Sequence, residues 1–142
     1  MCSKIHSAVI ILCVLAISLS ACQSAAPVVG REITTDAGIY YAVSVQELQT
    51  MLENKDFMMI NVHIPWQGDI QQTDLHLAYD QIATEQEELP SDKEQKILVY
   101  CLTSGMAKVA MQSLLDLGYT NLWMLQGGTT AWEEAGLSLV KE

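Results

Sequence analysis

The sequence predicts an α/β domain built on a mostly parallel sheet, and three observations carry that expectation. Residues 57–62 (FMMINV), 96–100 (KILVY) and 121–125 (NLWML) are short apolar runs, the pattern of strands buried on both faces. Amphipathic stretches at helical spacing lie between and after them. The alternation itself feeds strands in parallel and covers both faces of the sheet with helices. There is no internal repeat and no low-complexity tract.

The elements follow in order. Residues 39–43 read as a short first strand. Ser44 with Glu47 forms a capping-box pattern and opens a helix with Val45, Leu48 and Leu52 on one face. The run at 57–62 is the next strand. Residues 63–80, with Pro65 and Gly68, read as a long loop. An acidic helix is expected over 79–89, ended by Pro90. After the strand at 96–100, residues 102–105 form a loop. Val109, Ala110, Leu114 and Leu117 then mark a helix closed by Gly118. The strand at 121–125 turns at Gly127 and Gly128 into a last helix over 129–135, closed by Gly136.

The charge excludes one class of partner. Seven Lys and Arg face 17 Asp and Glu in 142 residues, a formal net charge of −10. Nucleic-acid affinity is built from clustered cations, so no nucleic-acid partner is expected.

The first segment reads as an address. Lys4 and His6 precede an apolar run at residues 8–19 (AVIILCVLAISL). Twelve residues are too few to cross a hydrocarbon core about 30 Å thick, and the run has the form of a signal-peptide h-region. Leu19-Ser20-Ala21-Cys22 resembles the lipobox of bacterial lipoproteins. That resemblance implies lipidation of Cys22 and contact with the membrane through that lipid. It implies a location at the cell envelope, on its periplasmic or extracellular face. Gln23 leans toward the outer membrane if the cell is Gram-negative. The expected organisation is a signal peptide at 1–21, a flexible tether at 22–38 and one domain at 39–142.

Processing would leave six cations against 17 acids. Cys2 and Cys13 would leave with the signal, and lipid would block Cys22. Cys101 is then the one free thiol, which is unusual in an exported domain. It ends a buried strand and precedes a short loop and a helix. In that geometry successive N–H groups converge on the sulfur and stabilise a thiolate. The alternative is a buried, inert cysteine.

Tyr100-Cys101-Leu102-Thr103-Ser104-Gly105-Met106 resembles the active-site loop of the rhodanese, or sulfurtransferase, family. Gly127-Gly128-Thr129-Thr130-Ala131-Trp132, with Gly136-Leu137, is similar to its terminal Gly-Gly-x-x-Ala-Trp element. The resemblance covers about residues 44–141. It implies a single rhodanese-like domain with a sheet of about five parallel strands. It implies Cys101 as the catalytic residue that carries a persulfide, with Leu102, Thr103, Ser104, Gly105 and Met106 as its loop. The partners implied are a small sulfur donor and a thiol acceptor, with no metal or organic cofactor.

The departures narrow the expectation. The family loop is Cys-x-x-Gly-x-Arg. Here Ser104 stands at the Gly position, Gly105 follows one later, and Met106 replaces the Arg. Asn61-Val62-His63 stands for Asp-Val-Arg. A loop without arginine argues against thiosulfate, a dianion, as the donor. Lys108 reads either as a source of positive charge or as a solvated helix lysine. His63, His76 and Trp66 read as pocket-lining or structural. No spacing supports a His–Cys hydrolase dyad or a metal site of His63, His76 and Cys101. A Cys-dependent phosphatase would need an arginine where Ala107 stands. The expected protein is a membrane-tethered sulfurtransferase acting outside the cytoplasm. The alternative is a catalytically silent rhodanese-like module that binds a partner protein.

Overall fold

The computed structural model describes residues 27–141, so the expected signal peptide and Cys22 lie outside the described residues. Strands β1 (Arg31–Thr35) and β2 (Gly38–Val43) form an antiparallel hairpin, with Thr35 opposite Gly38 and Arg31 opposite Ala42. Helix α1 (Val45–Glu53) follows. Strands β3 (Met58–Asn61) and β4 (Leu75–His76) come next, then β5 (Ile97–Tyr100). Helix α2 (Gly105–Asp116), strand β6 (Leu122–Leu125) and helix α3 (Gly128–Glu134) complete the order. The sheet runs β1-β2-β6-β5-β3-β4, and every neighbouring pair except β1–β2 is parallel.

The apolar runs become the central strands because both faces are covered. On one face Ile60, Val62, Ile97, Val99 and Met124 pack against Ala107, Ala110, Met111 and Leu114 of α2. On the other, Met59, Leu98, Tyr100 and Leu125 pack against Val45 and Leu48 of α1 and Trp132 of α3. Full burial of one such aliphatic side chain stabilises by roughly 1.5–3 kcal/mol. The capping box at α1 is complete. Glu47 N–H donates to Ser44 Oγ at 3.3 Å, and Ser44 N–H donates to Glu47 Oε2 at 2.8 Å.

Three expectations change: β1 forms within the expected tether, β4 (Leu75–His76) forms within the expected loop over 63–80, and 79–89 is not an α-helix. Residues 31–35, read as part of a tether, form β1. The strand has one apolar residue, Ile33, and pairs at the sheet edge, where one covered face suffices. Its β-branched Ile33-Thr34-Thr35, followed by Asp36-Ala37-Gly38, was the available hairpin signal. The sheet therefore has five parallel strands plus one antiparallel edge. Finally, residues 79–89 are turns ending in a short 3-10 helix, Gln86–Glu88, and not an α-helix. Ile82 and Leu89 are buried in the core, and Tyr79 packs against it. Thr84 Oγ1 donates to Gln81 O and Gln86 Nε2 to Ala83 O, local bonds that compete with a helix.

Candidate active site

Cys101 follows β5 directly, at the carboxyl edge of the sheet, where open parallel sheets place their ligands. It is 1% exposed and packs on the α2 side with Val62 and Val99. The loop over it is half-exposed: Thr103 and Gly105 face solvent, while Leu102, Ser104 and Met106 are partly covered. Among the described residues, the N–H groups of Leu102, Thr103 and Ser104 donate to no other protein group. The first N–H groups of α2, from Gly105 on, have no intrahelical partner by geometry. Unspent donors thus lie in the loop that directly follows the thiol, the kind of group that stabilises a thiolate or persulfide anion.

The second wall is α3. Thr129 N–H donates to Cys101 O and Thr130 N–H to Leu102 O, both at 2.9 Å. Gly127 N–H donates to Ser104 Oγ at 3.0 Å, and that hydroxyl donates to Thr103 O at 2.6 Å. Ser104 is the N-cap of α2, and its carbonyl accepts from Lys108 N–H at 3.0 Å. Gly128, at φ +58°, lies so close to the loop that a Cβ there would meet Cys101 O at 2.1 Å. The Gly-Gly pair is therefore a backbone-to-backbone dock that fixes the cysteine loop.

Met106 is partly buried and packs against the core on the α2 face, so the residue in place of the family arginine is an apolar side chain turned toward the core. Lys108 is exposed and lines a cavity of about 380 Å³ with Ser104 and Arg31. Arg31 was missed as a site residue because its strand read as tether. Trp66 is 41% exposed, and its Nε1 donates to Asp69 Oδ2 at 2.9 Å. It lines a different cavity, of about 390 Å³, with Asp69 and His76.

His63 is buried, and neither ring nitrogen has a hydrogen-bond partner. His76 Nε2 lies 2.7 Å from the His63 carbonyl. Neither imidazole is hydrogen-bonded to Cys101, so the structure brings together no His–Cys dyad. No group of three metal-ligating side chains occurs among the described residues. Burial first, and the neighbouring His76 second, push the His63 imidazole below its ordinary pKa of 6.5. The unfolded chain therefore takes up a proton that the folded chain resists. Folding stability is expected to be fully present above about pH 6.5 and to fall as pH drops below it. His63→Gln should flatten that part of a melting-temperature profile between about pH 8 and pH 5. An unchanged profile would show that the buried ring titrates normally.

A polar network holds the strand end from the α1/α3 face. Tyr100 is fully buried, and its hydroxyl accepts from Ile70 N–H at 3.0 Å. The same oxygen lies 2.7 Å from Thr73 Oγ1 and donates to Asp69 Oδ1 at 3.3 Å. Asn61, where the family pattern has Asp, donates through Nδ2 to Asp69 Oδ1 at 2.8 Å and to Gly68 O at 3.2 Å. An aspartate at 61 would set two carboxylates against each other; the amide turns repulsion into a bond. Sequence reading missed this hub because Asp69, Tyr100 and Asn61 lie on separate segments. Tyr100→Phe would strand the buried Ile70 N–H and should destabilise by about 1–3 kcal/mol. Denaturant unfolding measures this, and a change below about 0.5 kcal/mol would show that the network is not structural.

A thiol at the end of a parallel strand, its loop clamped by a glycine-rich helix start, defines the class of this domain. The chain belongs to the rhodanese-like domain family, whose family model matches residues 44–135. It is 35% identical over 54 residues to an uncharacterised protein of Synechocystis sp.. That match takes in 38% of this chain and 30% of that protein. Two solved structures are similar in fold. A rhodanese-related protein from Thermoplasma volcanium aligns with a TM-score of 0.61 and 21% identity, over 72% of this chain and all of that one. The rhodanese-like domain of an Anabaena sp. protein aligns with a TM-score of 0.63 and 19% identity, over 71% of this chain and 79% of that one.

Proposed function

We propose that the protein is a sulfurtransferase that carries sulfane sulfur on Cys101. The observation that supports this best is the set of unspent N–H donors at residues 102–104 beside the thiol. The Cys101 thiolate attacks the outer sulfur of a donor R–S–SH. The donor's S–S bond breaks, R–S⁻ leaves, and Cys101–S–SH forms. A second thiolate then attacks the outer sulfur, Cys101 leaves as thiolate, and the sulfur departs on the acceptor. The loop N–H groups stabilise the anion at each stage. With Met106 packed against the core where the family has arginine, no loop arginine meets a dianion, so a monoanionic persulfide or polysulfide suits the site better than thiosulfate.

The N-terminal sequence supports a place of action outside the cytoplasm, with the domain anchored by lipid on Cys22. One observation favours a second reading, a catalytically silent module that binds a partner protein: Cys101 is only 1% exposed, so the loop must yield before a donor reaches the sulfur. Intact-mass measurement after incubation with persulfide and polysulfide donors separates the two. A carrier gains one sulfur atom at Cys101. A chain that gains none with any donor, although folded, is a silent module.

A further inference from the structure

The cavity that Arg31, Ser104 and Lys108 share lies outside the chemistry proposed above, yet one of its walls is the cysteine loop itself. It encloses about 380 Å³, the size of a small-ligand site. Ser104 stands three residues after Cys101 and is fixed by the Gly127 N–H. Ile33, Tyr40 and Met124 give the cavity an apolar side.

Its charge runs against that of the molecule. The chain has 17 acidic and seven basic side chains, but no carboxylate lines this cavity and two cations do. Lys55 and Lys96 are neutralised by Asp74 and Asp56. Among the described residues, Arg31 and Lys108 pair with no carboxylate. One Arg31 nitrogen donates to Gln126 Oε1 at 3.1 Å, which orients the guanidinium and leaves most of its five N–H donors free. Arg31 itself is exposed, and it lines the cavity beside Ile33 and the buried Tyr40.

Arg31, Ile33 and Tyr40 all come from the β1–β2 hairpin, which precedes the family match at 44–135. The hairpin therefore brings to the site edge the positive charge that the loop lacks at Met106.

We propose that this cavity binds the carboxylate end of a small organic thiol or persulfide, with Arg31 and Lys108 holding the carboxylate and the ligand's sulfur directed to the Cys101 loop. An arginine meets a carboxylate through two parallel bonds, so Arg31 fixes orientation as well as charge. Lys108 contributes as a point charge. The apolar side takes the short carbon arm between carboxylate and sulfur. The identity of the ligand's reactive group rests on the sulfur-carrier reading; the carboxylate preference does not.

The test is a titration of the full chain with mercaptoacetate and with mercaptoacetamide, its uncharged analogue, followed by amide chemical shifts. The wild type is expected to prefer the acid by about tenfold, the effect of one charge-assisted contact. Arg31→Gln should bring the preference to near one. Lys108→Gln should lower it by about threefold, and Arg31→Lys should restore part of the loss. Equal affinity for acid and amide, or a preference that survives Arg31→Gln, overturns the proposal. Intact mass of the same chain after a separate incubation with a persulfide donor reads sulfur uptake independently. Uptake without a carboxylate preference overturns the cavity alone. A preference without uptake upholds the cavity and overturns the carrier reading.

Discussion

Cys101→Ser is expected to abolish sulfur uptake while leaving the fold intact. The hydroxyl is a far poorer nucleophile than a thiolate and forms no stable bond of this kind to sulfur. The exchange changes volume little, and the hydroxyl would sit among Val62, Val99 and Met111. Burying it there should cost about 1–3 kcal/mol, which a thermal melt would register as a lowered but cooperative transition. Intact mass gives the decisive reading: the wild type gains one sulfur atom and the variant none. Equal gain in both would place the sulfur on another nucleophile and remove Cys101 from its role.

Gly128→Ala is expected to be the most damaging single-methyl change in the domain. The new Cβ would sit 2.1 Å from Cys101 O and 2.7 Å from both C and O of Leu102. These are backbone atoms, so no side chain can rotate away. The residue is also held at φ +58°, which an L side chain adopts at a cost. Either α3 retreats and loses its two bonds to Cys101 O and Leu102 O, or the loop shifts. A loss of about 3 kcal/mol follows from the overlap and the backbone strain together. Gly105→Ala is the control. A Cβ there meets nothing within 4 Å, and the position opens α2. It should leave stability within about 0.5 kcal/mol. Denaturant unfolding of the two variants side by side tests the dock. Equal, small effects would mean that α3 does not clamp the loop.

Most of the sheet was legible because local patterns encode it. Residues 58–61, 97–100 and 122–125 are strands in apolar runs, and each run is covered on both faces. Ser44 and Glu47 announced α1, and the cap is formed. The helix expected over 79–89 failed because acidic composition and a following proline are weak evidence. What shapes that segment is the docking of Ile82 and Leu89, seven residues apart, on a core built by other segments.

The order of Cys101, its loop and Gly127-Gly128 was also readable, since each residue type answers a local backbone demand. Why the pair must be glycine was not: the close approach of Gly128 to Cys101 O joins two segments far apart in the chain.

By itself, then, the sequence determined the central strands, two of the three helices in nearly full extent, the start of the third, and the strand-end position of the thiol. All of these depend on residues within a few positions of one another. Only the tertiary structure decided where the polar groups meet. Arg31 shares a cavity with Ser104 of the cysteine loop because β1 pairs backward on β2, a register set by hydrogen bonds that leave no apolar signature. Asp69 meets Asn61 and Tyr100 because β3 and β5 lie side by side with Asn61 opposite Tyr100. Burial is written in the sequence as a period, whereas the convergence of single charged and polar side chains from separate strands has no period to read.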